Sequence, residues 1–214
     1  MAYQSALHSA IPRIPASINS IDEGKDSSFR GVRLLGDSSL WVRFSWKTEG
    51  IPSLQGSSIG KELIRHATRE EWEDVLNVIM LSLSMDSAWN DYFSIAEAYI
   101  KAAITRIFNE EEPLCLVIPK GNRLIAASLL DVSQNSFNNL ISGPSVLMEY
   151  RNRGLGTALL HASLKALRER GLPSAAGVTR NKTVASRHVY PKYNSVSEVI
   201  PFGFLAEIDK QAKA

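Results

Sequence analysis

Apolar residues fall at helical spacing in three stretches of this chain and at strand spacing in several others. Over 68–84, Trp72, Val75, Leu76, Ile79, Met80 and Leu83 recur three or four residues apart, which predicts an amphipathic helix with these residues on its inner face. Thr68 with Glu71 three residues on forms a capping-box signature at its start. After the polar and aromatic loop "SMDSAWNDYF", a second helix is predicted, with Ser94 and Glu97 as its cap and Tyr99, Ile100, Ala103, Ile107 and Phe108 facing inward. The third stretch, "EYRNRGLGTALLHASLKALRERGLP", is the longest helical pattern, and Gly171 and Pro173 stop it.

The strand signals lie between these. "ELIRHA" precedes the first helix, "LCLVIPKGNRLIAASLLDV" gives two strands about a "KGN" turn, and "NNLISGPSVLM" gives another. A short strand "SAAGVT", a helix around "VASRHVYPKY" and a last strand near "SEVIPFGFL" complete the order. Strand, two helices, three strands, helix, strand, helix, strand describes a mixed α/β domain of packed layers. Upstream, "FRGVRLLGDSSLWVRFSW" reads as a hairpin with a four-residue loop, preceded by a Ser- and Pro-rich arm and followed by a Gly/Ser/Pro linker. The expected division is an arm, hairpin and linker over 1–61, the main domain over 62–208 and a tail over 209–214.

Composition narrows the function classes. With 24 Lys and Arg against 22 Asp and Glu, the net charge of +2 gives no electrostatic case for nucleic acid or a membrane surface. No apolar run reaches the ~18 residues of a membrane span, and a soluble, cytoplasmic protein is expected. The one cysteine, Cys115, sits in the apolar run "LCLVI" and reads as a buried thiol. No His or Cys pair stands at metal-ligand spacing, so no metal is expected.

The chemistry concentrates in "RNRGLG". A helix N-terminus presents unpaired N–H groups and the positive end of the macrodipole, and thus attracts an anion. Gly154 and Gly156 keep the backbone bare there, and Arg151 and Arg153 add charge that pairs with phosphate oxygens. A lone Gly-x-Gly is a weak signal, and these glycines also suit tight packing of helix on strand. Placement after a strand and at the mouth of a helix strengthens the phosphate reading. A dinucleotide fingerprint is disfavoured, since Leu159 stands where its third glycine is needed.

These residues resemble the GNAT superfamily of acyl-CoA-dependent N-acyltransferases. That family's signature is Gln or Arg, two residues, Gly, one residue, then Gly or Ala, which "RNRGLG" matches. A second family pattern, an Ala-Ser step with a Tyr near the end of a short helix, is matched by "TVASRHVYPKY". The resemblance covers roughly residues 62 to 205. It implies a mostly antiparallel sheet with splayed central strands flanked by helices. It implies acetyl-CoA as acyl donor, its pyrophosphate on Arg151, Asn152, Arg153, Gly154, Leu155, Gly156 and Thr157, and its pantetheine against the backbone of Val146, Leu147 and Met148. Either Asn181 or Thr183 stands where many members contact cofactor with an Asn. The Gly and Pro of "SGP" at 142–144 fit a bulged, splayed strand or an ordinary strand end.

By family position Tyr190 is the general acid for the leaving thiolate, with a packing role as the alternative. Pro191 should end or bend its helix. Glu149, Asp131 and a water chain stand as candidate bases, and none is singled out. Trp89, Asp91 and Tyr92 line the acceptor site in this reading; Trp89 and Phe93 fit a core plug equally well. The implied activity is transfer of an acetyl group to a small-molecule or peptide amine by a monomer or homodimer. A non-catalytic acyl-CoA sensor or interaction module is the second class.

Overall fold

Among the described residues of the computed structural model every strand pairing is antiparallel, and the strands form two sheets. The structure describes residues 40–51 and 64–200. The N-terminal arm, the first arm of the expected hairpin, most of the linker, the chain beyond Ile200 and the tail lie outside the described residues.

The order matches the hydrophobic pattern closely. β1 (Trp41–Lys47) comes first, then β2 (Arg65–His66), α1 (Trp72–Ser84), α2 (Phe93–Phe108), β3 (Cys115–Lys120), β4 (Arg123–Leu129), β5 (Ser145–Val146), α3 (Leu155–Glu169), β6 (Ser174–Arg180) and β7 (Val196–Ile200). One sheet runs β2-β3-β4-β5 and the other β6-β1-β7.

β3 shows why both sides of the first sheet are covered. Its run "CLVI" is buried throughout, and because side chains alternate across a strand the four residues divide between two cores. Leu116 and Ile118 join Leu159, Leu160, Leu164 and Leu167 of α3, while Cys115 and Val117 join Val75 and Ile79 of α1 and Ile104 and Ile107 of α2. Cys115 is fully buried, and burial pushes its thiol pKa up. It is a packing residue.

The first helix is capped as its sequence indicates: Thr68 N–H donates to Glu71 Oε2 at 2.8 Å, opening a 3₁₀ turn that runs into α1. Trp72, expected on the inner face, is 43% exposed at the helix start. The second helix differs from its expected start. Asp86, not Ser94, supplies the cap: its carboxylate accepts from Ala88 N–H at 3.1 Å and starts a 3₁₀ turn, Ser87–Tyr92, that runs directly into α2. Ser94 therefore lies inside the helix, and Glu97 pairs with Lys101 one turn on. An aspartate that reaches its own second-next amide competes well with a serine for this role.

β1 changes the picture most. The sequence places it in an N-terminal hairpin, and its two partners among the described strands come from the last third of the chain: Phe44 lies opposite Gly177 of β6 and Ser197 of β7. Trp46 of this strand is 1% exposed, and its indole N–H donates to Lys192 O at 2.9 Å. The strand is thus the middle of the sheet that carries β6.

The two sheets meet and then part. At the junction, Leu140 N–H donates to Ala176 O, and the side-chain oxygens of Asn139 and Asn138 accept from Ala176 N–H and Val178 N–H, all at 2.9–3.0 Å. Two amide side chains here take the place of a main-chain ladder. Gly143, with φ +59°, then turns the chain away before β5 begins. The "NNLISGPSVLM" run is thereby reduced to a bridge at Leu140 and the two residues of β5. β5 and β6 diverge as splayed central strands.

Candidate functional site

A cleft with a cavity volume of about 420 Å³ follows this splay, a size suited to one elongated ligand. It runs from the start of α3, through Ser142–Val146 and Tyr190, to an aromatic end at Trp41, Trp89, Tyr92 and Tyr99.

The α3 end presents bare amides. The first intrahelical bond runs from Ala158 N–H to Gly154 O, and no side chain caps the turn. The N–H groups of Leu155, Gly156 and Thr157 are therefore without intrahelical partners, at the positive end of a 15-residue helix. The two glycines serve different ends. Gly154 adopts φ +76° with nothing within 4 Å of an added Cβ, so its conformation, not crowding, calls for glycine. Gly156 is helical, and a Cβ there would lie 3.6 Å from Val189 Cγ2 and 3.9 Å from Val146 Cγ2, at ordinary contact. Gly154→Ala is accordingly expected to cost about 1–2 kcal/mol of stability through the left-handed backbone. Gly156→Ala is expected to hold or raise stability by up to about 1 kcal/mol. Chemical denaturation of the two variants checks this.

Arg151 turns away from the helix mouth. Its Nε donates to Val146 O at 3.0 Å and its Nη2 to Ser82 O at 2.8 Å. Arg153 is exposed, donates to Glu149 O at 3.2 Å and lies over the Tyr150 ring. A cation outside the expected set stands at the helix mouth: Lys192 Nζ donates to Thr157 Oγ1 at 2.9 Å in the first turn of α3. The turn after Pro191 delivers it there, and the signal was present in the "YPKY" run. Asn152 lines the cleft in a left-handed conformation, φ +60°.

Tyr190 occupies the crotch of the splay. The short helix around it is one π turn, Ala185–Val189, which ends just before Tyr190 and Pro191. Its ring is 2% exposed and stands edge-on to Phe44 and Trp46, each with centroids 5.3 Å away. Both partners come from β1. The ring passes Gly177, where an added Cβ would be 3.3 Å from Tyr190 Cε2, and the hydroxyl reaches Gly143, where an added Cβ would lie 2.2 Å from Oη. Two glycines make the slot that holds this phenol. The hydroxyl makes no hydrogen bond to another described residue. Burial raises its pKa, so it stays protonated through the ordinary pH range.

The remaining expected residues separate into two groups. Thr183 lines the cleft but is 2% exposed, and its Oγ1 donates to Arg180 O and accepts from Ser186 N–H, so its side chain holds the start of the π turn. Trp89 and Tyr92 also line the cleft, each edge-on to Trp41 at 5.7 Å. Leu147, Met148, Arg153, Asn181 and Asp91 do not line it. Asn181 Oδ1 accepts from Lys182 N–H. Of the candidate bases, Glu149 pairs with Arg123 at 2.7 Å and Asp131 with Arg106 at 3.2 Å, and neither lines the cleft. The carboxylate among the lining residues is Asp86, close in sequence to the aromatic wall. No group of three or more metal-ligating side chains occurs among the described residues, and none of their helices is long and apolar enough to cross a membrane.

The model of the acetyltransferase (GNAT) family matches residues 72–194. The chain belongs to that family. The matched span holds α1 to the Tyr190 turn, including both walls of the splay, and the GNAT domain here draws β1 into its second sheet from outside the span. Members of the GNAT family are acyltransferases that use acetyl-CoA. A crystal structure of a Drosophila protein, solved in a structural genomics programme, is similar at 16% identity with a TM-score of 0.48, covering 75% of this chain and 48% of that one. This chain thus spans about half the length of that protein. No curated protein matches the chain.

Proposed function

We propose that this GNAT domain is an N-acetyltransferase that moves an acetyl group from acetyl-CoA to an amine, with the thioester held where β5 and β6 part. The observation that carries the reading is Tyr190, whose ring is buried and whose hydroxyl, unbonded to other described residues, opens on the cleft between Gly143 and Gly177.

In this reading the pyrophosphate rests on the unpaired amides of Leu155, Gly156 and Thr157, with Lys192 beside them. Pantetheine lies along the open edge of β5 at Val146, and the acceptor enters from Trp41, Trp89 and Tyr92. The amine nitrogen attacks the thioester carbonyl, the C–N bond forms and the C–S bond breaks. The phenol of Tyr190 gives its proton to the departing sulfur, and the proton shed by the newly acylated nitrogen leaves to water, from which the phenolate is reprotonated. A coenzyme thiolate has a conjugate acid of pKa about 8.5, like a cysteine thiol, so a phenol of raised pKa acts as the C–S bond breaks and not ahead of it. Asp86, a carboxylate of the cleft lining, would attract the acceptor as an ammonium, which gives up a proton to water before its nitrogen attacks. We place the reaction in the cytoplasm and leave the acceptor at the level of an amine.

Calorimetric titration with acetyl-CoA, followed by thiol release against a panel of amines, tests the reading. Saturable 1:1 binding and amine-dependent thiol release are expected. Absence of acetyl-CoA binding would sink the proposal, whereas binding without release by any amine, unchanged in Tyr190→Phe, would make the domain a sensor.

A further inference from the structure

Arg151 is the residue of the "RNRGLG" motif whose side chain has a task other than the one its charge suggests. We infer that it is a positioning residue for the thioester carbonyl: it captures the main-chain carbonyl of Val146 and leaves the Val146 N–H as the sole main-chain group of that residue facing the cleft. The inference rests on the acyltransferase reading above and deepens it.

Leu147 N–H donates to Ile125 O at 3.0 Å, and Val146 lies opposite Ala126. In an antiparallel pair, residues with main-chain bonds to the neighbour alternate with residues that have none. Val146 is therefore a residue whose N–H and C=O both point away from β4. Among the described strands β5 is the last of its sheet, so that direction is the splay. An acyl thioester lying there meets one donor and one acceptor side by side. The acceptor repels the electron-rich carbonyl oxygen, and the donor stabilises the negative charge that develops on it as the amine attacks.

Two side chains remove the acceptor from play. Arg151 Nε donates to Val146 O at 3.0 Å and Ser82 Oγ donates to it at 3.2 Å, while Arg151 Nη2 holds Ser82 O at 2.8 Å. The guanidinium thus ties the end of β5 to the last turn of α1 and neutralises the Val146 carbonyl dipole. The Val146 N–H is left to the substrate. Only a planar fork makes this connection, since one edge must reach two main-chain carbonyls on different elements. A lysine keeps the charge and loses the fork.

The test compares Arg151→Lys, Arg151→Gln and Ser82→Ala with the wild-type chain, using acetyl-CoA labelled with ¹³C at the thioester carbonyl. Two quantities are read: affinity for acetyl-CoA by calorimetry, and the stretching frequency of the bound carbonyl by difference infrared spectroscopy. Neither needs the acceptor to be known. In the wild type the bound carbonyl is expected at lower wavenumber than in water, because a directed donor polarises it. Both Arg151 variants are expected to lose most of that shift, with affinity within about threefold and its salt dependence unchanged; Ser82→Ala loses part of it. Tenfold weaker binding in Arg151→Gln, restored by Arg151→Lys with the carbonyl shift intact, would overturn the inference and return Arg151 to the phosphate. Should the Arg151 variants not fold, Ser82→Ala alone decides, and an unchanged carbonyl frequency there counts against us. Failure of the wild type to bind acetyl-CoA would instead be a failure of the acyltransferase reading.

Discussion

Tyr190→Phe is expected to lower acetyl transfer by about 10²- to 10⁴-fold, the usual contribution of a positioned general acid, while leaving the fold as stable as before or slightly more so. The ring keeps its edge-on contacts with Phe44 and Trp46. The hydroxyl that is lost has no hydrogen bond to another described residue, so its removal leaves no described partner stranded. The hydroxyl opens on the cleft, so its removal is expected to change stability by no more than about 0.5 kcal/mol. Acetyl-CoA affinity should change little, because pyrophosphate and pantetheine are held elsewhere. Steady-state thiol release and thermal unfolding check both halves. A purely packing tyrosine gives a different outcome, with turnover maintained.

Gly143→Ala is expected to cost both activity and stability, and through the same hydroxyl. The backbone at φ +59° penalises any side chain, by about 1–2 kcal/mol. The new methyl would also lie 2.2 Å from Tyr190 Oη and 3.3 Å from its Cζ, and the phenol is wedged too tightly by Phe44, Trp46 and Gly177 to step aside freely. The hydroxyl is driven from its place at the centre of the cleft, so turnover should fall about as far as in Tyr190→Phe. The pair should also couple. In the Tyr190→Phe background the worst contact is gone, and the stability cost of Gly143→Ala should shrink by about 1 kcal/mol, as residues in contact do in a double-mutant cycle. Additive costs would mean that the glycine answers only to its backbone angle.

Both predictions turn on a slot that no single stretch of sequence describes. What the sequence displays well is local. The periodicities of α1 and α2, the Thr68 and Glu71 cap, and the strand-to-helix placement of "RNRGLG" are all features of neighbouring residues, and each is found in the structure. The fold class follows from their order together with the family resemblance. Three things depend on distant partners. β1 has a plausible hairpin mate a few residues upstream, and its actual neighbours β6 and β7 lie in the last third of the chain. Hydrophobic alternation gives the face of a strand and does not name its partner.

The glycines and the arginine show the same limit at the site. Gly154 and Gly156 are one letter with two causes, a left-handed backbone and a helical position with room beside it. Charge in Arg151 is visible in the sequence, but the direction of its guanidinium depends on where α1 ends and on which way Val146 O points. Lys192 becomes a neighbour of Thr157 only once Pro191 has turned the chain. Tyr190 is legible as a family position, while its walls belong to β1, Gly143 and Gly177.

A structure of the protein with acetyl-CoA bound tests the central claim most directly, through the position of the thioester. The account predicts the sulfur within about 3.5 Å of Tyr190 Oη, the carbonyl oxygen at hydrogen-bond distance from Val146 N–H, and the pyrophosphate on the amides of Leu155 to Thr157. A thioester lying outside the splay of β5 and β6, with Tyr190 out of reach of its sulfur, would contradict it.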